Sequence, residues 1–165
     1  METSFEAGEI AKLQPWYVTG LVEGEGTFAV SFNKRRKLKV GIETRPSFSV
    51  TLHRRDQSLL KALQAFFRCG AIRYSRADRT YKFEVRAVED LVRKVLPHFD
   101  KYPLVGAKRQ DLVKFAEIVR LVYAKHHLNR RYLRQIIEIA YSMNPSGNRR
   151  YEKDDLLRLL GEMKV

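Results

Sequence analysis

Two carboxylates set among glycines carry the most chemistry in this chain. The segment Gly20, Leu21, Val22, Glu23, Gly24, Glu25, Gly26, Thr27, Phe28 alternates acid with glycine as an apolar helical run ends. By itself it reads in two ways: a helix stop with solvated carboxylates, or a set of oxygen ligands placed where backbone can come close. Gly20 and Gly24 are four apart and share one helix face, so a second backbone can approach that face. Two such helices crossing there bring their C-terminal ends together, and a carboxylate just beyond each end meets its symmetry mate.

Oxygen ligands so placed suit phosphodiester hydrolysis. That reaction needs a deprotonated water, stabilisation of charge on the phosphoryl group and a stabilised leaving oxygen, all of which bound metal ions can supply. Magnesium fits, because one or two carboxylates plus phosphate oxygens commonly hold it while several waters remain; calcium or manganese can substitute in such a site. No histidine or cysteine array competes for another metal. His126 and His127 are adjacent and do not share a helix face, and the single Cys69 excludes an internal disulfide or a cysteine-rich zinc site and fits a reducing compartment.

The elements that position this segment can be read from periodicity. Pro15 to Glu23 is predicted as a short helix, with proline in its first turn and Gly24 and Gly26 stopping it. Phe28, Val30 and Phe32 alternate with Thr27, Ala29, Ser31 and Asn33 as a half-buried strand. Lys34, Arg35, Arg36 and Lys37 form the turn, and a second strand reads most clearly where Phe48, Val50 and Leu52 alternate with Ser47, Ser49 and Thr51. Helical spacing follows from Asp56 to Phe67, with Gly70 just past its end. Strands through Ile72 and Tyr74 and through Tyr81, Phe83 and Val85 come next, then a helix through Val88, Leu91, Val92, Val95 and Leu96 that ends at Pro97. Two more helices are expected over Lys108 to Tyr123 and Arg130 to Met143. A basic loop, Asn144 to Arg150, precedes a last helix with Leu156, Leu157, Leu159 and Leu160; it is long and irregular for the turn of a helix-turn-helix.

The acid-glycine segment resembles the LAGLIDADG motif of homing endonucleases in a glutamate-containing form. The resemblance implies an α+β fold of order αββαββα, a four-stranded antiparallel sheet packed on helices, with extra C-terminal helices. We expect one domain over residues 1–165, with a core of about 15–125 and a helical extension of about 129–165. It further implies that Glu25 binds divalent metal at the scissile phosphate, with the Gly24 carbonyl as an additional ligand and Glu23 structural. The segment Tyr102, Pro103, Leu104, Val105, Gly106, Ala107, Lys108 looks like the family's approach to a catalytic lysine, which puts that role on Lys108; a solvated first-turn lysine is the alternative. Where family members often carry a glutamine, this chain has Leu52, so His53 or Arg55 takes the peripheral role of ordering water or phosphate, or nothing does.

Composition agrees with a nucleic-acid partner. Lys and Arg number 32 against 19 Asp and Glu, a formal charge of +13 in 165 residues. No apolar run approaches the roughly 20 residues of a spanning helix, and Glu2, Glu6 and Glu9 leave no room for a secretory h-region, so an intracellular or organellar, non-secreted protein is expected. If the apolar strand residues face the helices, the other face presents Ser31, Asn33, Arg45, Ser47, Ser49, Arg73, Ser75, Lys82, Glu84 and Arg86, suited to base edges in double-stranded DNA. Lys34, Arg35, Arg36, Lys37, Arg149 and Arg150 are expected on phosphates. With one motif and two strands to cut, a homodimer is expected through Trp16, Tyr17, Gly20, Leu21 and Gly24. Its target is then a long, near-palindromic site, each subunit covering about 10 base pairs, and by resemblance the cuts fall across the minor groove. No small-molecule cofactor or membrane is implied. An intron maturase that binds RNA and a non-cleaving DNA-binding regulator are the competing functions on the same scaffold.

Overall fold

Alternation of apolar and polar residues builds the sheet, and helical spacing builds the layer that covers one face of it. The computed structural model describes residues 10–144 and 147–162. Glu2, Glu6, Glu9 and Pro145 lie outside the described residues. The element order is α1 (Pro15–Glu25), β1 (Gly26–Lys34), β2 (Ile42–His53), α2 (Gln57–Phe67), β3 (Ala71–Ser75) and β4 (Thr80–Val85). A helical stretch follows, consisting of α3 (Val88–Asp90), a π-turn at Leu91–Val95 and α4 (Leu96–Lys101); then come α5 (Lys108–Tyr123), α6 (Arg130–Tyr141) and α7 (Lys153–Glu162). The strands form one antiparallel sheet in the order β1-β2-β4-β3. This is the expected αββαββα order with C-terminal helices.

The core is an aromatic cluster where the sheet meets the helices. Phe28 stacks on Phe48 at 5.3 Å between ring centroids and packs against Phe99 of α4 and Phe115 of α5. Phe48 also meets Phe67 of α2 and Phe83 of β4. Val18 and Val22 of α1 are fully buried in the same core. Such rings exclude more water per residue than any other side chain, which makes this seam the main source of stability.

Four local expectations are corrected. Helix α1 runs through Gly24 to Glu25 before it stops, because Lys108 satisfies two of its final carbonyls. The helix around Pro97 does not end there: the π-turn widens the backbone immediately before the proline, accommodating a residue that has no N–H and whose ring crowds the preceding turn. The left-handed residue ending α2 is Arg68, with φ 54°, while Gly70 at φ 87° serves β3: a Cβ there would lie 2.5 Å from the Phe83 ring. Tyr74 does not face the helices fully. It sits on the outermost strand, 43% exposed, against Tyr81.

His98 ties α1 to α4 from within. The Thr19 hydroxyl donates to the Tyr102 carbonyl at 2.8 Å, so it has no proton left for His98, and Nε2 of His98 must donate to Thr19 at 3.0 Å. Burial among Phe66, Phe67, Phe99 and Tyr102 lowers the His98 pKa to about 4 from an ordinary 6.5. The unfolded chain therefore binds this proton more readily, and the folded state loses stability as pH falls from 6.5 towards 4. The loss reaches at most about 3 kcal/mol. Urea unfolding across that range should show a falling midpoint, and a His98→Gln variant should lack this component of the pH dependence.

Candidate active site and nucleic-acid interface

Helix α1 has two unlike sides. Val18, Thr19 and Val22 face the core, whereas Trp16 and Tyr17 are 59% and 51% exposed. A Cβ added at Gly20 or Gly24 would meet nothing within 4 Å. Leu21 is half-buried beside them and Trp16 meets Tyr102 edge-on at 5.2 Å, so the residues expected at an interface lie on a side of α1 that the described residues leave largely open.

The end of this helix is held by polar contacts. No residue intervenes between α1 and β1, and the Gly26 N–H donates to the Val22 carbonyl. A Cβ on Gly26 would lie 2.5 Å from Val22 Cγ1 and 2.7 Å from its carbonyl oxygen, so only glycine fits. Glu25, the last helical residue, is left exposed at the junction. Lys108, the first residue of α5, donates from Nζ to the carbonyls of Val22 and Glu23, both at 2.9 Å. That replaces the solvated-lysine alternative: the ammonium is half-buried at the negative end of α1. Burial lowers its pKa, opposed by the charges of Glu23, Glu25 and Asp111. Glu23 in turn accepts from the N–H groups of Val105 at 2.9 Å and Gly106 at 3.2 Å.

Among the described residues no three His, Cys, Asp or Glu side chains gather around a point that could hold a metal. The donor set at the end of α1 is one free carboxylate and helix-terminal carbonyls. Such a set fits a hard cation that keeps its waters and shares phosphate oxygens, and does not fit a closed protein cage. The pairing of Gly26 with Val50 puts the end of β2 past the start of β1, at the same end of the sheet as Glu25. His53 is there, its Nδ1 facing the Arg55 N–H at 3.4 Å, and Arg55 reaches towards Asp56 at 3.6 Å. No hydrogen bond joins either to α1 among the described residues.

The strand register gathers the polar residues onto the open sheet face. Ser31 pairs with Arg45, Ser49 with Glu84, Arg73 with Lys82 and Ser75 with Thr80; Asn33 and Ser47 share their parity, and Arg86 follows β4. Two of these are not exposed as expected. Ser49 and Glu84 are 6% and 8% exposed, because they sit mid-sheet under longer neighbours. Lys82 and Arg86 grip the two oxygens of Glu84 at 3.2 and 2.9 Å. Thr27, Thr51 and Thr80 belong to the same face; the alternation that found the others also marks them. Glu43, a further omission, binds Arg35 and Arg45. Lys34, Arg36 and Lys37 are exposed at the hairpin, with Lys34 over the Tyr151 ring at 4.9 Å.

Arg149 departs from its expected place on phosphate. Its guanidinium donates to the carbonyls of Val30 at 2.9 Å, Met143 at 3.2 Å and Ala140, and stacks over Tyr141. Asn144, unmarked by any motif, donates to the Phe28 carbonyl at 2.7 Å. Together they fasten the outer edge of β1 to the end of α6, beside a cleft of about 480 Å³. Arg150 stays exposed and donates to Asn33. We expect Arg149→Ala to lower unfolding stability by about 2–3 kcal/mol. Arg36→Ala, at an exposed hairpin position, should leave stability unchanged. Calorimetry separates the two.

Comparison with known proteins gives consistent relatives. The family model described as LAGLIDADG endonuclease matches residues 18–119. "Probable intron-encoded endonuclease 3" of Neurospora crassa is 34% identical over 134 residues, 81% of this chain but 25% of its own length. The chain thus spans about a quarter of that relative. "Homing endonuclease I-ApeII" of Aeropyrum pernix is 24% identical over 87% of this chain and 88% of its own. Among solved structures, the homing endonuclease I-TnaI superposes with a TM-score of 0.82 at 36% identity, covering 93% of this chain and all of that one. I-SmaMI, solved bound to cleaved DNA, gives 0.82 at 33% identity and is matched over 51% of its length.

Proposed function

This chain belongs to the LAGLIDADG endonuclease family, and from that premise we propose that it is a site-specific, metal-dependent double-strand DNA endonuclease acting as a homodimer. The observation that carries the reading is the exposed Glu25 at the end of a helix whose glycine face the described residues leave uncovered. Glu25 and the Gly24 carbonyl would hold magnesium. When bound, the ion lowers the pKa of its water and stabilises charge on the phosphoryl oxygens. The chain's own part is positional. Lys108 has three N–H donors and uses two on α1 carbonyls, leaving one for a phosphate oxygen or an ordered water. The open sheet face offers Ser31, Asn33, Arg45, Ser47, Arg73, Ser75 and Lys82 to base edges, and the hairpin cations meet phosphate. His53 and Arg55 lie at the correct end of the sheet for a peripheral role.

Two strand cuts need two motif helices. I-SmaMI is twice the length of the matched region, and I-TnaI has about the length of this chain. The uncovered side of α1 favours the latter arrangement, a second copy of the same chain. A near-palindromic target follows from its two-fold symmetry. Relatives named as intron-encoded and the lone cysteine favour a location inside a cell or organelle. No helix among the described residues is long and apolar enough to cross a membrane.

Glu25→Gln should abolish cleavage of a selected target while DNA affinity stays within about threefold; the loss of one transition-state ligand is worth several kcal/mol. Retained cutting would place the metal elsewhere, and binding without cutting by the unaltered chain would favour the regulator. Gly20→Leu should keep the chain folded, since none of the described residues opposes a Cβ there. Sedimentation velocity should then show monomers at concentrations where the unaltered chain is dimeric.

A further inference from the structure

The contacts between α1 and the start of α5 run in both directions. Glu23 accepts from two backbone N–H groups of the 103–108 segment, and Lys108 of that segment returns two hydrogen bonds to α1 carbonyls. The segment is anchored from below by Leu104, which is fully buried, but Val105 is 86% exposed and adds no packing. Between Leu104 and Lys108 the fastening to α1 is therefore polar, and Glu23 supplies it. Gly106 is shaped to the contact: a Cβ there would lie 2.6 Å from Glu23 Oε1 and displace the carboxylate. A carboxylate gripping consecutive amides fixes both the distance and the rotation of the peptide it holds.

We propose that Glu23 is a positioning residue, holding the Val105 and Gly106 amides so that the Lys108 ammonium stands at the end of α1 beside Glu25, and that Gly106 is the seat this carboxylate requires. Its consequence for cleavage rests on the endonuclease reading; its consequence for Lys108 does not. Glu23 lies outside the aromatic core, so removing it loosens the segment without unfolding the chain.

The test uses the full chain with Glu23→Ala, Gly106→Ala and both together. Nuclear magnetic resonance reads the Val105 and Gly106 amides and the Lys108 ammonium. Each single variant should speed hydrogen exchange of the two amides about tenfold or more and erase the protected ammonium signal. An ammonium signal unchanged in both variants overturns the proposal, whether or not the chain cuts DNA. In single-turnover cleavage each variant should lose about 10- to 100-fold in rate with DNA affinity held within about twofold, the split expected when a reacting group is misplaced. The double variant should lose no more than the worse single, because both act through one contact. Multiplying losses, or a loss confined to affinity, would overturn it. Failure of the unaltered chain to cut refutes the endonuclease reading alone, and the magnetic resonance result still decides where Lys108 is held.

Discussion

The direct passage of α1 into β1 is the constraint on which the site depends. A helix normally ends in a loop whose residues satisfy its last carbonyls. Here the next residue already belongs to a strand: the Gly26 N–H still reaches the Val22 carbonyl, but the Glu23 carbonyl beyond it is met from elsewhere in the chain. Lys108 donates to both, which ties the start of α5 to that point. Gly26 makes the turn possible by having no side chain to strike Val22. Glu25 is thereby fixed between two rigid elements, with a helix behind it and a paired strand ahead, and little freedom is lost when a ligand arrives.

The sheet divides its two faces between an apolar core and a charged, polar surface. The inner face carries the phenylalanine cluster, and the outer face collects cations that would repel one another if left alone. Glu43 lies between Arg35 and Arg45, and Glu84 lies between Lys82 and Arg86. Glu43 is half-buried and Glu84 is buried, so the paired cations chiefly offset the cost of withdrawing those carboxylates from water. The pairs set the direction of the arginine and lysine heads, so that a surface of high charge is also an ordered one.

Much of this was legible in the sequence because strand parity is a strong signal. A slip of one residue would move every phenylalanine to the wrong face, so Phe28, Val30, Phe32 and Phe48 determine where Ser31, Asn33, Ser47 and Arg45 must lie. The family resemblance of the acid-glycine segment likewise marked Glu25, and that of the Tyr102 to Lys108 segment marked Lys108. What escaped was set by distant partners. Arg149 looked like a surface cation until the β1 edge and the end of α6 came within its reach. Ser49 and Glu84 were read as exposed because alternation reports which face a residue is on, not what folds over it. The end of α1 depended on Lys108, more than eighty positions away, and the continuation past Pro97 depended on a π-turn that no local signal announces.

The fastening of the β1 edge by Asn144 and Arg149 also limits how copies of this chain can meet. An outermost strand with open carbonyls invites another strand to add to it, and a sheet can then grow from molecule to molecule without a natural stop. The Phe28 and Val30 carbonyls are already occupied by side chains of the same molecule. A strand adding at that edge would first have to displace both side chains, so this stretch of β1 is guarded by its own chain.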